Sequence, residues 1–252
     1  MDKLETKELE MKNPIETFQT QFATELPTML KRTSCGIASL YSGLRYLEND
    51  VGTFPDFVTK YVSSNRFNIP AYYAQTSLNG KPFEVPIFYD PNDTPQNLDI
   101  ASSLVSKFHN GEPVKVERRH TPQSDVNLAF TLLHGFDHRG INAFLKEHNL
   151  PFSAELIESN RLPTSLTDSD NSIILASVEH KHLGYPTYAQ IPTEHISTHI
   201  ITIYKIFQLG GTTVALFTDP AFIDPREALQ IRSLEALKQC TAKSSVITLT
   251  NR

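Results

Sequence analysis

The sequence predicts an α+β fold in which helices come first along the chain and an antiparallel sheet follows. Residues 34–47 place apolar side chains at helical spacing along one face. Later segments are rich in β-branched and aromatic residues, as strands are, at 172–180, 198–207, 212–219 and 244–250. Gly210 and Gly211 separate two of these segments and indicate a hairpin. Helices followed by strands favour a layer of helices on one face of the sheet.

Each remaining element has its own local signal. Thr33 and Ser34 suit the N-terminus of the first helix, because their hydroxyls can accept bonds from unpaired N–H groups there. Further helical spacing occurs at 53–65, 96–109, 139–148 and 234–240. Proline, glycine and asparagine favour loops over residues 70–94, with one short strand at 83–89. A second short strand is expected at 114–118, within a polar and exposed stretch.

Composition and charge narrow the class of protein. The chain has 252 residues, 39% hydrophobic and 20% charged, which is typical of a globular protein. The net charge of -5 argues against a nucleic-acid partner. Every apolar run is shorter than the ~20 residues that cross a bilayer, and no signal-peptide pattern is seen, so a cytoplasmic location without membrane contact is expected. We expect a flexible N-terminal arm over 1–14 and a single domain over 15–252.

The chain has two cysteines, Cys35 and Cys240, too few for a disulfide framework or a cysteine-based zinc site. Cys35 begins the first predicted helix, where unpaired N–H groups and the helix dipole favour a thiolate, the nucleophilic form of cysteine. Gly36 after it allows backbone and substrate to approach closely. Cysteine is also among the most buried residue types, so an inert place in the core is the alternative.

A nucleophilic cysteine needs a base and a group that orients the base. His199 opens one predicted strand and Asp219 closes the next, so a hairpin brings them to the same end of the sheet. A symmetric turn would pair Asp219 with Thr202, on the face opposite His199. A three-residue loop or a bulge would pair it with Ile201 and share the face. The catalytic hypothesis therefore requires such an irregularity, or a chain that leaves the strand at Asp219.

These residues resemble the papain-like clan of cysteine peptidases. Cys-Gly at the start of a core helix, His opening a strand and Asp-Pro ending the next are most similar to the bacteriocin-processing peptidase domain, which removes double-glycine leaders, and its stand-alone relatives. Residues 135–150 and 172–184 resemble further stretches of that domain, and the likeness covers about 25–235. It implies a papain-like fold, a peptide or protein substrate, no cofactor, and roles as nucleophile, base and orienting group for Cys35, His199 and Asp219.

One position departs from that clan. A glutamine six residues before the nucleophile usually helps to form the oxyanion hole, but Met29 occupies this place and methionine cannot donate a hydrogen bond. Substitute donors are the Cys35 N–H with the hydroxyl of Thr33 or Ser34, and, if the loop before the helix is longer than in the clan, Gln19 or Gln21. Loss of catalysis is a third outcome.

Other functions stay open at this point. A Cys-His-Asp site could instead transfer the acyl group to an amine, as a thiol-dependent acyltransferase or transpeptidase, and an inactive site could bind peptides only. The stretches 66–95 and 183–198 are expected to wall the substrate cleft.

A histidine-rich zinc site is the main rival to thiol chemistry. Its four candidate ligands cluster near the second of those stretches and are His180, His182, His195 and His199. His134 and His138 are weaker candidates. The intervening segment is rich in proline and has no HExxH spacing, so no metal is predicted.

Overall fold

The described chain contains both helices and antiparallel strands, which is compatible with an α+β fold. Strands already begin at residue 71, so the expectation that helices come first and strands follow holds only in part. The computed structural model describes residues 12–31, 33–47, 49–63, 71–89, 94–111, 114–119, 130–131, 135–136, 138–158, 161–179, 183, 199–241 and 246–251. The helices are α1 (Pro14–Thr17), α2 (Thr28–Lys31), α3 (Cys35–Tyr46), α4 (Phe54–Ser63), α5 (Asn97–Phe108), α6 (His138–Glu147), α7 (Pro225–Ala228) and α8 (Leu234–Thr241). The predicted helices at 34–47, 53–65, 96–109, 139–148 and 234–240 correspond to α3, α4, α5, α6 and α8.

A six-stranded antiparallel sheet forms the C-terminal half. Its strands, in spatial order, are β10 (Leu229–Ser233), β9 (Thr212–Thr218), β8 (His199–Leu209), β7 (Ser172–Val178), β11 (Val246–Asn251) and β6 (Phe152–Ile157). The four central strands were predicted. The two edge strands were not, because short edge strands carry polar and exposed residues that weaken the strand signal.

A second, three-stranded sheet lies in the N-terminal half, in the order β2 (Lys81–Tyr89), β1 (Ala71–Leu78) and β3 (Val116–Arg119). The prediction of loops over 70–94 is therefore wrong for most of that stretch. Asn79 and Gly80 both adopt positive φ, at 51° and 70°, and turn β1 back onto β2. Asn-Gly between two apolar runs is a strong hairpin signal, which the many prolines around it obscured. A small hairpin, β4 (Phe130–Thr131) and β5 (Gly135–Phe136), completes the strands described.

Both faces of the six-stranded sheet are covered. Side chains alternate along β7, so Ile173 and Leu175 belong to the core beneath α3, whereas Ile174 and Ala176 belong to the core beneath α8. The prediction that the first core helix packs on the C-terminal sheet is confirmed, since α3 lies on β8 and β7. The prediction that helices cover one face only is wrong, because β7 is apolar at consecutive positions and needs cover on both sides.

The N-terminal segment contacts the turn after β9 before α3 begins, because the Gln21 N–H donates to the Pro220 carbonyl oxygen. Pro14 is buried and starts α1, so the arm predicted over 1–14 does not extend that far, and residues 1–11 lie outside the described chain. Among the described helices, none has the length and apolarity of a membrane span.

Candidate active site

Cys35 is the first residue of α3 and lies at the sheet end where β8 starts. Cys35 is partly exposed, whereas Ser34 before it and Gly36 after it are buried. The His199 ring and the backbone of Ile200 and Gly36 lie close enough to the Cys35 sulfur to lower the pKa of its thiol. Cys35 is therefore less buried than the residues on either side of it.

His199 and Asp219 form a fully buried pair. His199 is the first residue of β8, and Asp219 follows the last residue of β9; both are 0% exposed. The His199 Nε2 and Asp219 Oδ1 atoms are 2.6 Å apart. The same Asp219 oxygen accepts a hydrogen bond from the Ala221 N–H at 2.8 Å, which holds the carboxylate toward the ring. The structure thus brings together the three residues that the sequence singled out.

The β8–β9 register explains how the pair meets. Gly210 and Gly211, with φ of 57° and 81°, form a symmetric two-residue turn that pairs Leu209 with Thr212. A bulge between Ile203 and Lys205 then shifts the register by one residue, so that Thr202 pairs with Thr218. The next residue, Asp219, follows the end of β9, and the shifted register directs it to the face of His199, which its side chain contacts. Of the arrangements considered from the sequence, the bulge occurs, and the chain also leaves the strand at Asp219, since β9 ends at Thr218.

The electrostatics favour a charged thiol–imidazole pair. Burial alone would raise the pKa of the Cys35 thiol, but the hydrogen bond and charge of His199 outweigh it and lower that pKa. Burial would likewise lower the pKa of His199, but the Asp219 carboxylate, with a smaller effect of Cys35, raises it to about 10. Between these two pKa values, Cys35 is a thiolate and His199 an imidazolium.

Three residues considered near the oxyanion position have other roles. Met29 is 0% exposed and belongs to the hydrophobic core beneath α3, as its thioether chemistry suits. The Thr33 hydroxyl donates to the Met29 carbonyl oxygen at 3.3 Å. The Ser34 hydroxyl is directed to the carbonyl oxygen of Gln21 at 3.5 Å. Both hydroxyls therefore face backbone carbonyls, and the prediction that they substitute for a glutamine is not supported.

Gln21 lies beside the site, although the sequence ranked it low. It is 0% exposed, and its N–H donates to the Pro220 carbonyl oxygen at 2.9 Å. Its Nε2 donates to the Lys31 carbonyl oxygen at 3.0 Å. Gln21 therefore bridges the segment before α3 and the turn that carries Asp219. Along the chain, α2 lies between Gln21 and Cys35.

The histidine-rich alternative depends on residues that mostly lie outside the described chain: His134, His180, His182 and His195. His138 begins α6. His199 uses its ring for Asp219 and Cys35, which removes one of the four proposed ligands. Within the described ranges, no group of three or more His, Cys, Asp or Glu side chains has metal-binding geometry. The predicted cleft wall at 183–198 also falls outside the described chain, except for buried Leu183.

Comparison of the chain with family models, with curated proteins and with solved structures finds no match. The resemblance to papain-like peptidases therefore rests on the residues quoted for it. The case for a function rests on the geometry of Cys35, His199 and Asp219.

Proposed function

We propose that the protein is a papain-like cysteine hydrolase that cleaves a peptide or amide bond through a thioester on Cys35. The observation that carries the proposal is the fully buried His199–Asp219 contact of 2.6 Å, set against a partly exposed cysteine at a helix N-terminus. A buried imidazole that is fixed by a carboxylate and lies beside a thiol is the arrangement that nucleophilic cysteine catalysis needs.

The reaction follows from the charges of the pair. The Cys35 thiolate attacks the scissile carbonyl carbon, and the carbonyl π electrons move to oxygen. When the tetrahedral intermediate collapses, the C–N bond breaks and the His199 imidazolium gives its proton to the departing amine. His199 then takes a proton from water, whose oxygen attacks the thioester; the carboxylic acid leaves and the Cys35 thiolate re-forms. Asp219 keeps the ring oriented throughout and remains ionised.

The negative charge on the carbonyl oxygen needs hydrogen-bond donors. The first N–H groups of α3 have no carbonyl partner within the helix, so the Cys35 N–H suits this role. Gln21 is the side-chain donor that fits best, because its amide has a second N–H beyond the one on Lys31. Its buried contact with Pro220 keeps it near the Asp219 turn.

Alkylation by iodoacetamide at about pH 6 tests the proposal, since an ordinary thiol with a pKa near 8.5 is less than 1% thiolate there. We expect mass spectrometry to find Cys35 labelled at least about tenfold faster than glutathione. Cys240, whose pKa is raised by burial, is an internal control and should label slowly. His199→Ala should abolish the advantage of Cys35. Labelling of wild-type Cys35 no faster than glutathione would refute the ion pair.

A second experiment distinguishes hydrolysis from acyl transfer and from binding alone. p-Nitrophenyl acetate should acetylate Cys35 with a burst of p-nitrophenol that Cys35→Ala lacks. In a hydrolase, water should release acetate at a rate that added glycine ethyl ester changes little. Dominant formation of the acetylated amine would instead identify an acyltransferase. A reactive thiolate without any burst would indicate a peptide-binding protein that has lost catalysis.

A further inference from the structure

Two hydrogen bonds join α3 and β8 in opposite directions, one turn of helix beyond Cys35. The Ser39 hydroxyl donates to the carbonyl oxygen of Ile200 at 2.9 Å. The Thr202 hydroxyl donates to the carbonyl oxygen of Ser39 at 3.0 Å. Ser39 is 1% exposed and Thr202 is 0% exposed, so water does not compete for either bond. We call this pair of bonds the Ser39–Thr202 clamp.

The clamp lies directly behind the thiol–imidazole pair. Ser39 is four residues after Cys35, which places both on the same side of the helix. Ile200 follows His199, and its carbonyl oxygen accepts the hydrogen bond from Ser39 of α3. The backbone next to the imidazole is therefore fixed to the first turns of the helix that bears the thiol.

Sliding or rotating α3 would break both bonds together, because O–H···O bonds tolerate only a few tenths of an ångström about 2.7–2.8 Å before they weaken. Each break would remove a hydrogen bond of a buried hydroxyl in a dry interface, which is unfavourable. Close packing next to the clamp opposes the same motion: a Cβ on Gly43 would overlap the Ile173 side chain and come within 3.5 Å of Thr202 Cγ2.

We infer that Ser39 and Thr202 are positioning residues, whose reciprocal bonds set the distance between the Cys35 sulfur and the His199 ring. The inference rests on the proposed function, since it concerns the same thiol–imidazole pair. Neither hydroxyl takes part in the bond-making steps; each acts through the backbone that it holds.

The titratable groups next to the clamp are Cys35, His199, Asp219 and Tyr204. The Tyr204 hydroxyl hydrogen-bonds to Thr202 and to Thr218, so a change at Thr202 also touches Tyr204. Tyr204→Phe removes the hydroxyl that contacts Thr202 and Thr218, and it leaves the bond from Thr202 to Ser39 in place. It separates an effect of the clamp from an effect of the tyrosine.

The test measures the pH at which Cys35 alkylation by iodoacetamide is half-maximal, in the full chain. Thr202→Val and Ser39→Ala should each raise that midpoint by about half a pH unit or more, because a longer sulfur–imidazole distance weakens the ion pair. Thr202→Ser, which keeps the hydroxyl, should restore the wild-type midpoint. Thr241→Val is the matched control: Thr241 is also 0% exposed, and its hydroxyl bonds within its own helix α8.

Each result decides the matter. If Thr202→Val, Ser39→Ala and Thr241→Val lower the melting temperature alike but leave the midpoint at the wild-type value, the clamp is structural only and the inference is wrong. A shift in Tyr204→Phe equal to that in Thr202→Val would also overturn it. If Thr202→Val does not fold, Ser39→Ala and Thr202→Ser still give the comparison. An ordinary thiol titration in the wild type refutes the proposed function itself, and the inference with it.

Discussion

Two carboxylate–cation contacts in this protein have similar partners and opposite surroundings. His199 and Asp219 lie at one end of the six-stranded sheet with both side chains 0% exposed. Arg119 binds Glu84 and Glu117 on the three-stranded sheet, where the three side chains are 43%, 36% and 32% exposed. Both contacts have hydrogen-bonding geometry. Their consequences differ because water screens the second and not the first.

Burial decides which contact can do chemistry. The Asp219 carboxylate outweighs the desolvation of the His199 ring and raises its pKa to about 10, so that Cys35 faces a cation. Lys115 and Arg119 also lower the pKa of Glu117, to about 2, but that carboxylate is ionised at neutral pH with or without them. Short contacts are therefore a poor guide to function unless the groups are sealed from solvent.

Asp219→Ala is expected to have the largest effect. It leaves the His199 ring buried without its carboxylate, and breaking a buried pair in this way usually costs about 3–5 kcal/mol. The free energy of unfolding, measured with urea, should fall by that order, and rapid alkylation of Cys35 should be lost. Asp219→Asn, which preserves shape, should lose the alkylation with a smaller loss of stability. Wild-type alkylation in Asp219→Asn would show that the carboxylate charge is not needed.

The pH dependence of the free energy of unfolding is a second test of the buried pair. The raised pKa of His199 contributes to the free energy of unfolding. This contribution is complete below about pH 6.5 and is lost as the pH rises through about 10. The lowered pKa of Cys35 also contributes to the free energy of unfolding. This contribution is present above about pH 8.5 and is lost as the pH falls through the pKa of Cys35 in the folded chain.

Together these contributions predict a plateau between about pH 6.5 and pH 8.5, flanked by slopes of about 1.4 kcal/mol per pH unit. On the plateau, folded and unfolded chains bind equal numbers of protons at this pair. Urea unfolding across the pH range should reveal it. The difference between wild type and Cys35→Ala should isolate the acidic slope; a difference that does not change with pH would contradict the shifted thiol.

Gly43→Ala tests how tightly α3 must pack on the sheet that carries the buried His199–Asp219 pair. The new methyl would collide with Ile173 Cδ1, and overpacking of this kind typically destabilises by about 1–3 kcal/mol. Thermal melting should show the loss. Ile173→Val removes the colliding carbon, so the double variant should regain most of the stability. If Gly43→Ala melts like the wild type, the helix can move away from the sheet at little cost.

The exposed cluster should show the smallest effect. Arg119→Ala should change the free energy of unfolding by at most about 1 kcal/mol, and less in high salt, because exposed ion pairs contribute little. Urea titrations at low and high ionic strength measure it, with Lys81→Ala, at an exposed position of the same sheet, as the control. A loss comparable to that of Asp219→Ala would mean that burial does not separate the two contacts.

Local signals predicted most of the helices and the central strands, because helical spacing and runs of β-branched residues are properties of short windows. They failed for the β1–β2 hairpin, where prolines concealed the Asn79-Gly80 turn, and for the two edge strands. The resemblance, by a fixed spacing from Cys35, gave Met29 a place near the site, but Met29 is a fully buried core residue. Gln21 is bonded instead to Lys31 and to Pro220 after Asp219, contacts that no fixed spacing reveals.

By itself, the sequence determined that Cys35 begins a core helix, that His199 begins a strand and that Asp219 ends the next, because each follows from local periodicity and turn chemistry. Only the tertiary structure decided that these residues meet. The deciding feature is the bulge between Ile203 and Lys205, which shifts the register so that Asp219 reaches His199. A bulge is fixed by packing across strands and layers. Tyr204 lies within this bulge, and its ring centroid is 4.6 Å from that of Tyr46 in α3. Its hydroxyl also hydrogen-bonds to Thr218 of β9. Those contacts join residues far apart in the chain, and no short window of sequence contains them.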